Sequence, residues 1–452
     1  MKIPLKPPAI NKLMHELYHS KKEEGIFEKL LSYSSITEQK EYLHWDKLRH
    51  LEQPKNWSAE EAWLAIKLAR LNLYRPLPFI DKHHQPFRLA TPDNVLQQLY
   101  TIDRYLGRTI QSTASILNTG WRDTYLVSSL IEEAITSSQL EGASTTRKVA
   151  KEMLRSHRKP RTPSEQMIVN NYRAMQFIRE IKNEKLTPKL LFELHKILTE
   201  KTLPETECGA LRTSKDDIHI WDNRDETVLH TPPDAKELKT RVDKLCHFAN
   251  SSDTKNFIHP VIKAITLHFM LAYDHPFVDG NGRTARALFY WYMMKNDYWL
   301  IEFISISKII KNAPAKYARA FLYTETDDND VTYFVIHQLD TILKAFNALQ
   351  KYLEKQMNEI KETERLLSSE KNLRQRLNYR QIALIKHALK HPGHYYSIEE
   401  HRSSHNVTYE TARSDLLKLS ELNLFQKEKL GKAFTFVAVR DLKNKLENYH
   451  HD

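Results

Sequence analysis

Hydrophobic residues recur at helical spacing along most of this chain. Apolar positions three and four residues apart predict helices over 59–73, 92–106, 262–273 and 284–295. A proline-punctuated link over 75–78 separates the first two helices. Only nine glycines occur among 452 residues, while Leu, Lys, Glu and Ala are abundant, which favours helix further. The pattern predicts a mainly α fold.

Strand-like alternation is confined to two short stretches. The first, 218–230, alternates apolar and polar residues around the polar segment 222–225 and predicts a β-hairpin. The second, 425–439, predicts two strands around 430–432. Because it follows three short helical segments, the order of elements resembles that of a winged helix.

These patterns divide the chain into regions, as expected for a length beyond that of one ordinary domain. Trp45, Trp57 and Trp63 are predicted to pack the core of the first region. The predicted regions are a helical N-terminal region over 1–115, a helical core with the hairpin over 120–345, a helical linker over 346–374 and a winged-helix-like domain over 375–442.

Composition excludes several classes of protein. An apolar share of 41% excludes global disorder, and no run approaches the roughly 18 apolar residues of a membrane-spanning helix. No signal-peptide core is present at the N-terminus, and Cys208 and Cys246 are too few for a disulfide framework. We therefore expect a cytoplasmic protein without membrane contact. Secretion without a cleaved signal stays open, as does the oligomeric state, a homodimer included.

The net charge of +11 is concentrated towards the C-terminus, where residues 371–452 hold 15 Lys and Arg against 9 Asp and Glu. Such a surplus indicates an acidic partner, with DNA through residues 375–442 as the first candidate. Thr408 is the predicted N-cap of a recognition-like helix. Lys427, Lys429 and Lys432 fall in the predicted wing. A solvated surface, or a small interaction or dimerisation domain, explains the same residues.

The residues that carry chemistry lie between the helices predicted at 262–273 and 284–295. Gly280, Asn281 and Gly282 permit positive φ and let a ligand approach the backbone. Backbone N–H groups at the start of the following helix point into this loop and form an anion site.

Charged and titratable side chains surround that anion site. Arg283 and Arg286 lie three positions apart on one helix, so both can face the same anion. Asp279 supplies an oxygen ligand of the kind that Mg²⁺ shares with phosphates. His275 is the group able to take a proton near neutral pH. The set predicts phosphate-transfer chemistry, whereas a glycine-rich turn with two solvated arginines is the plainer interpretation.

The segment 275–286 resembles the Fic motif, His-Pro-Phe-x-Asp/Glu-Gly-Asn-Gly-Arg-x-x-Arg, at every defining position. The resemblance extends over about 120–345 and implies a protein adenylyltransferase that moves AMP from ATP to a Ser, Thr or Tyr hydroxyl of a target protein. It implies that His275 is the base and that Asp279 holds Mg²⁺. The implied ATP-binding residues are Gly280, Asn281, Gly282 and Arg283 on the α- and β-phosphates, Arg286 on the γ-phosphate and Tyr317 near the adenine.

The same resemblance assigns the hairpin over 218–230 as a flap. A flap of this kind holds a target segment by strand pairing, a form of β-augmentation. The implied target-binding residues are Thr227, Val228, Leu229 and His230.

A segment upstream of the core resembles the inhibitory motif of the family, Ser/Thr-x-x-x-Glu-Gly/Asn. It ends a helix predicted over about 123–142 and comprises Ser137, Glu141 and Gly142. The resemblance implies that Glu141 pairs with Arg286 and blocks the γ-phosphate. An amphipathic helix with Gly142 as its C-cap is the alternative. In some members this glutamate is linked to AMP removal, so a reverse activity stays open.

Two other functions fit the same residues. One is a transferase on the same scaffold that moves UMP, phosphocholine or the terminal phosphate. The other is a DNA-binding regulator in which the Fic core senses nucleotide, an interpretation that depends on residues 375–442.

Overall fold

The computed structural model shows a mainly helical protein. It describes residues 1–19, 34–36, 41–53, 57–106, 119–156, 158–222, 224–252, 256–367, 376–430 and 433–447. Lys432 of the predicted wing and the linker residues 368–374 lie outside the described residues. Within the described ranges, all strands belong to small antiparallel sheets. No helix in these ranges combines the length and apolarity needed to cross a membrane.

The N-terminal region contains a β-hairpin that the sequence did not predict. Its elements are α1 (Ile10–His19), α2 (Trp45–Leu48), α3 (Ala59–Leu71), β1 (Arg75–Ile80), β2 (Pro86–Leu89) and α4 (Asp93–Leu106). The proline-punctuated link at 75–78 is therefore part of strand β1, which corrects the all-helical prediction. Prolines are tolerated there because a strand of a two-stranded sheet has a free edge that needs no N–H donors. Trp45 and Trp63 are buried in the core of this region, with Trp57 packed against it.

A buried polar network joins the N-terminal region to the helical core. Lys67 of α3 donates to the Asp327 carboxylate at 2.8 Å, and both side chains are almost fully buried. Arg70 donates to the Tyr333 hydroxyl and to the Leu43 carbonyl oxygen. Because a buried charge without its partner is costly, these contacts fix α3 against the core.

The central region is a packed set of helices with one hairpin. Its elements are α5 (Thr119–Leu140), α6 (Arg147–Arg155), α7 (Pro163–Glu180), α8 (Pro188–Thr199), β3 (Ile220–Asp222), β4 (Thr227–His230), α9 (Leu238–Asn250), α10 (Pro260–Asp274), α11 (Asn281–Lys295), α12 (Ile306–Asn312), α13 (Pro314–Thr326) and α14 (Thr332–Leu367). Helix α5 begins before the predicted start at 123 and ends two residues before Gly142.

Helices α10 and α11 form the centre of this region and pack along each other. Nearly every side chain of the two helices is buried, so their outward faces are covered as well. Helices α7, α8 and α10 each have an N-cap side chain followed by proline at the first position, a combination that satisfies free N–H groups and presets φ. The capping residues are Thr162, Thr187 and His259.

The C-terminal region has its own apolar core. Its elements are α15 (Tyr379–Lys390), β5 (Tyr395–Ser397), α16 (Ile398–His405), α17 (Tyr409–Glu421), β6 (Phe425–Leu430), β7 (Ala433–Ala438) and α18 (Leu442–Glu447). Beyond the predicted helices and hairpin, the short strand β5 pairs with β7, which lies between β5 and β6. Helices α15 and α16 contact α5, so this region lies against the helix that carries Ser137.

Candidate active site

Two left-handed residues bound the loop between α10 and α11, residues 275–280, which we call the motif loop. His275 follows α10 with φ 46° and ψ 57°, and Gly280 precedes α11 with φ 83°. A β-carbon on Gly280 would lie 2.8 Å from Cγ2 of Thr199, so glycine is needed at this turn. A left-handed conformation is uncommon for a residue with a side chain, and contacts from the surrounding structure must hold His275 in place.

Arg212 supplies those contacts. Its Nε donates to the His275 carbonyl oxygen at 2.8 Å, and its guanidinium also donates to the Pro233 carbonyl oxygen at 2.6 Å. The Arg212 backbone N–H donates to the carbonyl oxygen of Pro276 at 2.9 Å. One arginine therefore fixes the start of the motif loop and the chain that leaves the hairpin. No sequence pattern singled it out.

The Asn281 side chain holds the motif loop together by two hydrogen bonds to Phe277. The backbone N–H of Phe277 donates to Asn281 Oδ1, and Asn281 Nδ2 donates to the Phe277 carbonyl oxygen, both at 2.9 Å. The side chain is buried, so it is committed to the loop. The first backbone N–H groups of α11 have no partners within the helix and provide the anion-binding groups at this end.

His195 of α8 contacts the motif loop and holds it in place. The backbone N–H of Gly209 donates to Nδ1 at 2.9 Å, so Nε2 carries the proton and donates to the Asp279 carbonyl oxygen at 2.8 Å. The ring stacks on Phe277 with centroids 3.7 Å apart. Burial lowers the pKa of His195 to about 4, which keeps it neutral. No sequence pattern indicated this role, because a histidine on an apolar helix face is ordinarily a core residue.

The His275 ring is oriented so that one nitrogen can act as a base. Nδ1 donates to the Ala272 carbonyl oxygen at 3.2 Å, which leaves the lone pair on Nε2. Burial lowers the pKa of His275 to about 4, and the hydrogen bond to Ala272 opposes this only in part. The ring is therefore neutral at neutral pH and able to accept a proton.

A cavity of about 220 Å³ opens beside His275. Gly282 of the first turn of α11 and Arg286 of the second turn line it. Leu229 of the hairpin and Phe321 of α13 add apolar side chains to its lining. The cavity thus brings together a base, a cation and apolar side chains.

Tyr317 of α13 lines this cavity, and its hydroxyl is held by a hydrogen bond to α10. Its hydroxyl lies 2.8 Å from Nε2 of His268, a buried residue of α10. Burial raises the pKa of Tyr317, and the nearby Arg286 opposes that shift. The phenol is therefore neutral, and its hydroxyl joins α13 to α10.

Arg286 is bound by the end of helix α5. Its Nε donates to Ser137 Oγ at 2.9 Å, and one terminal nitrogen donates to the Ser137 carbonyl oxygen at 3.0 Å and to Glu141 Oε1 at 2.8 Å. Burial opposes the charge of Arg286 most strongly, but Glu141, Tyr317 and Glu133 together outweigh burial and raise the pKa of the guanidinium. Gly142 follows with φ 91°, a left-handed conformation that ends the helix.

Glu141 also lies directly over the start of α11. A β-carbon on Gly282 would collide with the Glu141 carboxylate. The carboxylate therefore fills space beside the free N–H groups of the first helical turn, where an anion would otherwise bind.

Helix α5 is anchored in this position by a second glutamate. The Glu133 carboxylate is buried and accepts hydrogen bonds from the Tyr290 hydroxyl at 2.9 Å and from Ser305 Oγ at 2.7 Å. It also accepts from the backbone and side chain of Ser307, at the start of α12. These contacts tie α5 to α11 and α12 two turns before Glu141.

Asp279 and Arg283 face each other at the edge of the site. Arg283 is buried and donates to the Leu198 carbonyl oxygen and to Asp279 Oδ2, both at 3.0 Å. Its Nε has no hydrogen-bond partner within the described residues. Asp279 is 54% exposed. No group of three or more His, Cys, Asp or Glu suited to a metal occurs in the described ranges. A single exposed carboxylate nevertheless fits Mg²⁺, which takes most of its ligands from phosphates and water.

The predicted flap is the hairpin β3–β4, a two-stranded sheet. Thr227 pairs with Asp222 and Val228 pairs with Trp221 across it. Thr227, Val228 and Leu229 are half-buried, whereas His230 is buried and its ring points into the protein. The side chains of the first three residues are thus partly accessible, and that of His230 is not.

Part of this chain is similar in sequence to known proteins. Residues 185–293 match the model of the Fic/DOC family. The Protein adenylyltransferase Fic of Drosophila grimshawi is 32% identical over 127 residues, or 28% of this chain and 24% of that protein. The protein of the same name from Nematostella vectensis is 32% identical over 107 residues, or 24% and 22%. The chain thus aligns with about a quarter of the length of these relatives.

Solved structures with similar folds are more distant in sequence. A Fic family protein from Desulfovibrio desulfuricans is 16% identical with a TM-score of 0.48, over 76% of this chain and 95% of that one. A Fic domain containing signaling protein from Bacteroides thetaiotaomicron is 18% identical with a TM-score of 0.43, over 57% and 98%. Glu141 and Tyr317 lie outside the segment matched by the family model. Residues 185–293, which include the motif loop, are the part of this chain that is similar to the Fic/DOC family.

Proposed function

We propose that this chain transfers AMP from ATP to a Ser, Thr or Tyr hydroxyl of a target protein. The observation that carries the proposal is the position of neutral His275 beside a cavity whose other polar end is Arg286 and the first turn of α11. Base and anion site face the same space, as group transfer from a polyphosphate requires. Relatives named protein adenylyltransferase support AMP as the transferred group.

The reaction then proceeds as an in-line displacement. Nε2 of His275 accepts the proton of the target hydroxyl, and the oxygen attacks the α-phosphorus of ATP. The bond from that phosphorus to the bridging oxygen breaks, and pyrophosphate leaves. Arg286 and the N–H groups of α11 stabilise the developing negative charge. Asp279 would hold Mg²⁺, which neutralises phosphate charge when bound.

In the same proposal Glu141 restrains the reaction. With Arg286 occupied by Glu141 and Ser137, the γ-phosphate lacks its cationic partner. The hydrogen-bonded charge pair is worth about 1.5–3 kcal/mol, enough to slow a transferase without abolishing ATP binding. Because the Glu141 carboxylate lies so close to the anion site, the proposal also includes the reverse reaction, in which AMP is removed.

Dependence on the base tests the proposal. The Glu141→Gly form and the Glu141→Gly, His275→Ala form are incubated with Mg²⁺, cell-extract proteins and ATP labelled on the α-phosphorus. We expect labelled protein with the first form and a loss of at least about 100-fold with the second, the scale of general-base catalysis. Equal labelling by both forms would refute the role of His275.

DNA binding by residues 375–442 is a second proposal. Lys427 and Lys429 lie on the same face of strand β6, because alternate residues of a strand share a face. The two basic residues of α17 are outnumbered by its acidic residues, Glu410, Asp415 and Glu421, so any phosphate contact rests on the wing. The test is the affinity for duplex DNA at two salt concentrations. Binding that weakens steeply with salt supports the proposal, and binding absent at low salt refutes it.

A further inference from the structure

His230, the last residue of β4, is held on both sides of its ring. Nε2 lies 2.8 Å from the carbonyl oxygen of Tyr273, in the last turn of α10. Nδ1 lies 2.8 Å from Oε2 of Glu325, on α13. The His230 side chain therefore links the hairpin to two helices that form the cavity walls.

Both partners of His230 are hydrogen-bond acceptors. A carbonyl oxygen has no proton to give, and an ionised carboxylate has none either. A ring nitrogen that carries a proton can donate to the acceptor it faces, and a hydrogen bond to the Glu325 carboxylate is charge-assisted, the stronger kind. The pair is largely buried, with the Glu325 side chain 18% exposed.

Contacts just after β4 also attach this end of the hairpin to the core, among them the hydrogen bond from Arg212 to the Pro233 carbonyl oxygen. Strands β3 and β4 pair with each other and with no third strand in the described residues. The residues of β4 before His230 are only half-buried. Within β4, His230 is thus the residue whose side chain is buried and bonded to the core, and its partner Tyr273 lies two residues before the base His275.

We propose that His230 and Glu325 form a latch that positions the hairpin over the cavity and fixes its distance from His275. The inference deepens the proposed function, since it rests on the hairpin holding a target near the base. Glu325 and His230 line the same cavity as His275, and the latch gives them a positioning role.

Hydrogen exchange tests the latch without depending on activity. Exchange of the backbone amides of residues 227–230 is followed in the unsubstituted chain and in Glu325→Ala, Glu325→Gln and Glu302→Ala forms. We expect Glu325→Ala to speed their exchange about tenfold or more, because local opening loses a charge-assisted bond. In Glu325→Gln the amide nitrogen donates to Nδ1 of a neutral ring, so most of the protection should return.

The Glu302→Ala form is the matched control. Glu302 pairs with Arg179 at 3.0 Å, so this change removes a carboxylate that is not part of the latch. We expect hairpin exchange to stay as in the unsubstituted chain. Unchanged exchange in Glu325→Ala, or equal acceleration in Glu302→Ala, would overturn the latch.

The effect of the latch on AMP transfer is measured separately, as the rate of protein labelling. In the Glu141→Gly background, Glu325→Ala should lower the rate of labelling from ATP about tenfold, while Glu302→Ala leaves it unchanged. If the Glu141→Gly form shows no labelling at all, the proposed function fails while the exchange result still decides the latch. Faster hairpin exchange with unchanged labelling would overturn the link between latch and transfer.

Discussion

The Glu141 carboxylate lies 2.8 Å from the Arg286 guanidinium and joins the end of α5 to the second turn of α11. The guanidinium is 2% exposed, whereas the carboxylate is 27% exposed. The arginine is therefore fixed in the protein, and the glutamate is the partner that can move. Because the Ser137 contacts keep Arg286 in place without Glu141, removal of the carboxylate leaves the cationic end of the cavity intact.

Glu141→Gly should increase AMP transfer. Loss of a charge-assisted pair frees Arg286, and the expected gain is about 10- to 150-fold in labelling rate. Initial rates with ATP labelled on the α-phosphorus measure it. Glu132→Ala is the control, because Glu132 lies on the same helix but binds Arg147 at its surface. Equal rates for the unsubstituted and Glu141→Gly forms would remove the brake from the account.

Gly282→Ala should destabilise the protein only when Glu141 is present. The new β-carbon collides with the Glu141 carboxylate, whereas the backbone at this position suits alanine. We expect a loss of about 1–2 kcal/mol in the free energy of unfolding in the unsubstituted chain and little loss in Glu141→Gly. Denaturant unfolding of the four forms measures this coupling. Equal losses in both backgrounds would place the carboxylate elsewhere.

The transfer rate should stay high in mildly acidic solution. An ordinary histidine has a pKa of 6.5 and is therefore half protonated at pH 6.5. Burial lowers the pKa of His275 to about 4. The base thus remains neutral, and the rate falls only as the pH approaches this lower value. Glu141 raises the pKa of His275, so its removal shifts the fall further down. A pH–rate profile of the Glu141→Gly form with a midpoint near 6.5 would contradict the geometry.

Asp415→Asn should unfold the C-terminal region first. Burial would raise the pKa of Asp415, but hydrogen bonds from His401 and Arg380 hold it well below its ordinary value. Its stabilising effect is therefore full above the pKa of an unfolded aspartate and lost as pH falls below it.

The expected loss for Asp415→Asn at neutral pH is about 3 kcal/mol, as for one partner of a buried ion pair. Proteolysis of residues 376–447 during urea titration measures it. Glu410→Gln, which breaks an exposed pair with Arg413, is the control and should change little. Similar effects of the two changes would mean that the network around Asp415 is dispensable.

Local features of the site were predictable because they are contiguous in sequence. The order of base, glycines and arginines in residues 275–286 requires no knowledge of distant contacts. Helix α11 begins at Asn281 and not at the predicted 284. Asn and Gly are weak helix formers, so the spacing of apolar residues does not indicate the first turn.

Long-range supports of the site were not predictable in the same way. His195 and Arg212 reach the motif loop from more than sixty positions upstream. The contact between His230 and Glu325 joins residues 95 positions apart. Such pairings depend on how helices pack, and side-chain spacing within one helix carries no information about them. The Glu141–Arg286 pair, 145 positions apart, was predicted only through resemblance to a family motif.

The phosphorus atom of ATP that reaches the protein distinguishes AMP transfer from transfer of the terminal phosphate. The Glu141→Gly form is given Mg²⁺, cell-extract proteins and ATP labelled either on the α- or on the γ-phosphorus. The account predicts that protein acquires α-label and no γ-label, and that this label is lost in the His275→Ala form. Protein carrying γ-label alone would show transfer of the terminal phosphate and contradict AMP transfer.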